Sequence, residues 1–94
     1  MELRFKRDKE AGEPHIYGHG VSEAEVSQAI ANRSESHIGR RGARIAIGRT
    51  DAGRTLRVIY VPDPGGASGY VVTAYDLPPK SAWSYRKRLR KKRR

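Results

Sequence analysis

The sequence predicts an α+β fold, in which a short N-terminal strand and a helix pack on an antiparallel sheet of three to four strands and a basic helix follows at the C-terminus. Three observations carry this. Apolar residues alternate with a period of two over residues 43–61 and again over 69–75, a capped amphipathic segment precedes them at 22–32, and a Pro-Pro pair introduces a cationic run at the end. The 94 residues suit one domain, because a chain of this size buries only about 60 to 65% of its unfolded surface. That domain is expected over residues 1–79, with 80–94 as a basic helix or tail.

The elements follow in chain order. Leu3 and Phe5 alternate with Glu2, Arg4 and Lys6, the pattern of a short half-buried strand over residues 2–6. Asp8 to Gly18 contains Gly12, Pro14 and Gly18 and no sustained period, so it reads as a connecting loop holding a turn of helix at most. Ser22 and Glu25 form an S-x-x-E capping box, and Val21 and Val26 occupy the two positions of a hydrophobic staple, which starts a helix running to about Asn32. Its stripe is Val26, Ala29 and Ile30, and a sheet is the expected cover.

From Ala43 the period is two. Gly48-Arg49-Thr50-Asp51-Ala52-Gly53 interrupts it, and Arg54 to Val61 resumes it with β-branched and aromatic residues, so 43–61 predicts a hairpin. Pro62-Asp63-Pro64-Gly65-Gly66 ends the second strand and Gly69 to Tyr75 supplies a third, giving a three-stranded meander. Leu77-Pro78-Pro79 then stops the sheet and pre-sets φ for a helix from about Lys80, with Ala82, Tyr85 and Leu89 as its apolar stripe. Like-charge pairs such as Arg86 with Arg90 and Lys87 with Lys91 oppose the far end of that helix, whereas cations do suit a helix C-terminus.

The net charge of +10 is segregated: residues 1–79 hold eleven cations and ten acids, whereas 80–94 hold nine cations and no acid. A block of this density attracts phosphate by counterion release, although like-charge blocks also occur as solvated tails with no fixed contact. Trp83 and Tyr85 lie among the cations and offer stacking surfaces, which favours nucleic acid. Lys80, Trp83, Arg86, Lys87, Arg88, Arg90 and Lys91 are therefore the expected nucleic-acid-binding residues, with Lys92, Arg93 and Arg94 extending the run. No apolar stretch approaches the roughly 20 residues of a membrane span, and Met1 to Arg7 has no hydrophobic signal segment, so the cytoplasm is the expected location. Without cysteine there are no disulfides, thiolate nucleophiles or sulfur-based zinc sites.

Leu56, Val58 and Tyr60 make the better core face of their strand, which turns Arg57 outward. The same reasoning places Ile45, Ile47, Val72 and Ala74 inward, and Arg44, Val71, Thr73 and Tyr75 outward. Arg44, Arg57, Thr73 and Tyr75 then share one face. An exposed mid-strand arginine is often only a solubility device, but two arginines together can neutralise a phosphate and stabilise a phosphorane, and a nearby His or Tyr can move a proton. RNA fits this chemistry because its 2′-hydroxyl is a built-in nucleophile. Asp51 and Asp63 are expected in loops and Asp76 at a strand end, so no carboxylate pair suggests two-metal chemistry. His15 and His19 have the i, i+4 spacing that zinc can use on a helix, but Pro14, Gly18 and Gly20 argue against that helix. No metal or cofactor is expected. His37 falls in a polar loop without an evident partner. Phosphate-loop, dinucleotide and nucleophile-elbow signatures are missing.

His19-Gly20-Val21, Arg44 with Ile47-Gly48-Arg49-Thr50, Gly53-Arg54 with Leu56 and Val58, and Val72-Thr73-Ala74 occur in an order that resembles the BrnT-type toxins of the RelE/ParE-like superfamily. The likeness covers about residues 19–77, and it lies in the combination and order of segments, none of which is specific alone. It implies a RelE-like fold, RNA cleavage that blocks translation, RNA, free or ribosome-bound, as target, and a cognate antitoxin of ribbon-helix-helix type. His19, Arg44 and Arg49 carry over by position, and Tyr75 stands where those toxins often have an arginine. The expected catalytic set is thus His19, Arg44, Arg49, Arg57 and Tyr75 in a metal-independent endoribonuclease. The rival expectation is a non-catalytic RNA- or ribosome-associated module that uses the same cations only to bind.

Overall fold

The computed structural model describes residues 1–10 and 12–92, the side chain of Lys92 excepted. Five strands form one mixed sheet: β1 (Glu2–Phe5), β2 (Arg33–Ile38), β3 (Arg44–Arg49), β4 (Thr55–Pro62) and β5 (Ser68–Asp76), in the spatial order β1-β5-β4-β3-β2. Neighbours are antiparallel except β1, which runs parallel to β5. A 3-10 helix (His15–His19) and α1 (Glu23–Ala31) lie between β1 and β2, and α2 (Pro79–Lys92) follows β5.

The sheet corrects the three- to four-stranded antiparallel expectation in two places. β1 joins in parallel, with Leu3 opposite Gly69 and Phe5 opposite Val71. Arg33–Ile38, where the sequence signals no element and His37 is expected in a polar loop, is an edge strand paired with β3. Its sequence Arg-Ser-Glu-Ser-His-Ile has no apolar alternation, because one row meets solvent and the other is satisfied by ion pairs rather than by apolar packing.

α1 forms where the sequence signals it. The Ser22 hydroxyl accepts from Glu25 N–H, and the Glu25 carboxylate accepts from Ser22 N–H, closing the capping box. Val21 and Val26 are both buried beside it. The stripe Val26, Ala29 and Ile30 packs with Ile16, Ala46, Leu56, Val58, Tyr60, Val71 and Ala74 into the main core, each fully buried Val or Ile contributing about 1.5 to 3 kcal/mol.

The register decides which side chains share a face, and it overturns part of the expected arrangement. Ala46 lies opposite Val58 and Gly48 opposite Leu56, so the inner row of β3 is Arg44, Ala46 and Gly48. Ile45 and Ile47 point to the other side with Ile59 and Arg57. The small residues mark the close approach of α1: a Cβ on Gly48 would stand 1.9 Å from the Ala29 carbonyl oxygen. In β5 a bulge places Val72 between the pairs Ile59–Thr73 and Tyr60–Val71, so Val71 rather than Val72 faces the core.

The outer face is covered in part by α2. Tyr85 is buried with Ile47 and Leu77, and Ala82 and Leu89 pack beside them, so the stripe of α2 faces the sheet. Two polar contacts fasten the helix across β2: Arg88 makes a two-bond fork with Glu35 at 2.6 and 3.0 Å, and the hydroxyls of Tyr85 and Ser34 share a hydrogen bond. Among the described residues no helix is long and apolar enough to cross a membrane.

Candidate functional site

Three of the five expected catalytic residues come together on the outer face, near the part of β5 that β1 does not reach. Arg57 lies directly opposite Tyr75 across the β4–β5 ladder. Its Nη1 donates to the Tyr75 hydroxyl at 3.4 Å, and its guanidinium carbon stands 5.8 Å from the Tyr75 ring centre. The His19 ring also meets Tyr75 in an edge arrangement, with ring centres 5.9 Å apart and planes inclined by 67°. His19 is exposed, and Arg57 and Tyr75 are half-buried.

His15 extends the group, a role that sequence reasoning missed. Its ring stands edge-on to His19 at 5.1 Å, and its Nδ1 lies 2.9 Å from the Asp8 carboxylate. A proton on Nδ1 donated to that carboxylate leaves Nε2 as the free acceptor. The i, i+4 spacing of the two histidines is the available signal. Pro14, Gly18 and Gly20 are compatible with a 3-10 helix, closed by Gly20 at φ 70°, a conformation that favours glycine. Among the described residues no group of three or more His, Asp or Glu side chains is arranged to hold a metal ion.

Arg54 fixes this corner. Its guanidinium forks onto Asp76 at 2.6 and 2.8 Å, donates to the Gly20 carbonyl at 2.8 Å and reaches the Glu25 carboxylate at 3.1 Å. One side chain thus joins the end of the 3-10 helix, the start of α1 and the end of β5, and so holds His19 against Tyr75. The Asp76 bond raises the already high pKa of Arg54, and the same bond lowers that of Asp76. Glu25 is lowered first by the Ser22 N–H and then by Arg54.

The other expected residues lie elsewhere. Arg44 pairs across the ladder with Tyr60 on the inner row, so it and Arg57 occupy opposite faces of the sheet; the expected cluster of the two does not exist. Arg49 is on the outer face opposite Thr55, but at the turn end of the hairpin, where its Nη2 donates to the Gly53 carbonyl at 3.4 Å. It lines a hollow of about 390 Å³ together with Arg86, Leu89 and Arg90.

The cations of α2 divide by flank. Arg86 and Arg90 turn to Arg49. Arg88, expected to contact nucleic acid, is committed to Glu35, whose carboxylate is buried and also accepts from His37 Nε2 at 3.1 Å. His37 therefore sits in a strand with a partner, contrary to the expected loop. Glu35 is lowered chiefly by the Arg88 hydrogen bonds, and Arg88 is raised by the same contact. Trp83 is 56% exposed with the Lys87 ammonium 5.2 Å from its ring centre, and Lys80 and Lys91 are exposed. Arg93 and Arg94 lie outside the described residues.

No protein-family model, curated protein or solved structure matches the chain.

Proposed function

We propose that this protein cleaves RNA without a metal, at the group formed by His19, Tyr75 and Arg57. The contiguity of a proton acceptor, a phenol and a guanidinium on an open sheet face is the observation that carries the reading. In the reaction, His19 takes the proton from a 2′-hydroxyl as its oxygen attacks the adjacent phosphorus. The bond to the 5′-oxygen breaks, and the Tyr75 hydroxyl, whose oxygen accepts from Arg57 and whose hydrogen stays free, gives that leaving oxygen a proton. Arg57 neutralises charge that builds on the phosphorane oxygens. His15, oriented by Asp8, positions the His19 ring. The exposed stacking surface of Trp83 and the cations Lys80, Lys87 and Lys91 hold the rest of the strand.

The resemblance to BrnT-type toxins supports the same reading and extends it. On that basis the protein is a RelE-like, translation-blocking toxin that is restrained by a ribbon-helix-helix antitoxin. Of the residues carried over from that likeness, His19 belongs to the reacting group, Arg49 sits apart from it, and Arg44 has no part in the proposed chemistry.

Purified protein incubated with RNA in excess EDTA provides the test. Cleavage that survives the chelator, leaves 2′,3′-cyclic phosphate ends and is lost in His19→Ala is expected. Tight, salt-sensitive binding of intact RNA would instead establish the non-catalytic module, which the placement of Arg44 on the far face favours over an enzyme needing both arginines.

A further inference from the structure

We propose that Arg49, Arg86 and Arg90 form a phosphate-binding subsite, separate from the His19–Tyr75–Arg57 group, that anchors the RNA strand. The anion-binding part of this proposal stands on its own, and only the identity of the strand rests on the RNA reading above.

Three arginines are tied to carboxylates, and Arg7 and Arg33 donate to the Gly12 and Ile30 backbone carbonyls instead. Arg4 meets Asp63 at 2.8 Å, Arg54 meets Asp76 at 2.6 Å, and Arg88 meets Glu35 at 2.6 Å. Arg49, Arg86 and Arg90 enter no ion pair among the described residues, yet they surround a single hollow with Leu89. Asp51 lines an adjoining hollow that Arg49 also borders, and its Oδ1 accepts from Asn32 Nδ2 at 3.4 Å.

The gathering of like charge is built by the fold. Arg86 and Arg90 are four apart and occupy one flank of α2, where they repel each other. Arg49 arrives from a strand far away in sequence. α2 cannot roll to separate them, because Tyr85 is buried and Arg88 is held by Glu35 on the opposite flank. Three converging guanidinium forks match the oxygens of a phosphate, and an anion there removes the repulsion.

Position relates this subsite to the reacting group. Arg49 lies opposite Thr55, and Arg57 is two residues farther along β4 on the same face, a distance of about 7 Å along the strand. One extended oligonucleotide can reach both.

The first experiment is titration of inorganic phosphate at constant ionic strength, followed by calorimetry and by amide chemical shifts. Arg49→Ala and Arg90→Ala are each expected to weaken phosphate about tenfold or more, the effect of losing hydrogen bonds to a charged group. Arg40→Ala removes the same charge from an exposed turn and is expected to change affinity by less than about twofold. Equal weakening in all three variants, or none in Arg49→Ala and Arg90→Ala while their circular dichroism stays native, overturns the subsite. The second experiment compares 5′-phosphorylated with 5′-hydroxyl RNA. Weakening in Arg49→Ala confined to the phosphorylated oligomer assigns the anchor to a terminal phosphate, and weakening of both assigns it to the backbone. Phosphate binding that depends on Arg49 in a protein that leaves RNA intact would retain the subsite and discard the cleavage reading. Cleavage with KM unchanged in both arginine variants would do the reverse.

Discussion

The two faces of the sheet are built on different principles. The inner face is closed by α1, and its central residues, Ala46, Leu56, Val58, Val71 and Ala74, are apolar and fully or almost fully buried. The outer face is roofed by α2 over Ile47, Leu77 and Glu35, and there the roof is held by an ion pair and a hydroxyl pair as well as by apolar contact. The same strands thus present a dry core on one side and, on the other, half-covered rows with Arg57, Tyr75, Thr73 and Arg49. Shape is therefore secured chiefly from within, and the proposed chemistry falls where shape is least dependent on it. Substitutions on the two sides should separate accordingly.

Arg57→Ala should have the largest effect, and it should appear in turnover rather than in stability. On the proposed reaction Arg57 faces developing phosphorane charge, so its removal is expected to slow cleavage in EDTA about 100-fold or more, with the far-ultraviolet dichroism and the unfolding midpoint little changed. A variant that cleaves normally would sever the outer face from the reaction. Gly48→Ala tests the other side. The added Cβ cannot fit 1.9 Å from the Ala29 oxygen without moving the backbone of α1. A loss of about 3 kcal/mol in urea unfolding is expected, and the residual cleavage of the still-folded fraction should be normal.

Glu35→Gln probes the fastening of α2. The substitution keeps the shape of the side chain while removing the charge that Arg88 and His37 share. With Arg88 half-exposed, a loss of about 1 to 2 kcal/mol is expected. The pH dependence fixes its origin. Glu35 is depressed below its ordinary value of 4.5 in the folded protein, so its stabilisation is fully present above that value and disappears as pH falls through the lower folded value. Asp63, depressed to about 2 by Arg4, loses its contribution between about pH 4 and pH 2 in the same sense. The stability difference between Glu35→Gln and the native chain should therefore shrink as pH drops below 4.5. A difference that stays constant down to about pH 2.5 would assign the loss to packing.

How far each face is legible in the sequence follows from the same contrast. α1, β3, β4 and β5 announce themselves because their signals are local: a capping box, a staple, and alternation between turn residues. The inward direction of Leu56, Val58 and Tyr60 is readable for the same reason, and so is the outward direction of Arg57, Thr73 and Tyr75. β2 is illegible because its buried side chain is a carboxylate, Glu35, whose partner Arg88 comes from the last helix. The facing of β3 misleads because the rule that large apolar residues point inward fails where a helix backbone comes close and only Ala46 and Gly48 fit. The β5 bulge hides Val71 in the same way, since no residue type marks it. Of the proposed reacting group, the pairing of Arg57 with Tyr75 follows from strand facing. The arrival of His19 depends on Arg54 joining three elements, which spacing alone does not reveal.

Arg44→Ala carries the smallest expected effect and for that reason separates the two faces most sharply. The residue is exposed, its ladder neighbours are Tyr60 and Ile38, and the sheet itself separates its side chain from Arg57. A surface substitution of this kind should change stability by no more than about 0.5 kcal/mol, and kcat for RNA cleavage should stay within about twofold of the native value. Only a uniform, salt-dependent weakening of RNA binding is expected, because the chain loses one positive charge from its long-range field. If cleavage instead fell as far as in Arg57→Ala, one phosphate would have to be gripped from both sides of a β-sheet. No rotation of side chains on this backbone allows that, so the register of β3 against β4 would have to shift by one residue, bringing Arg44 to the face of Tyr75 and expelling Ala46 from beneath α1.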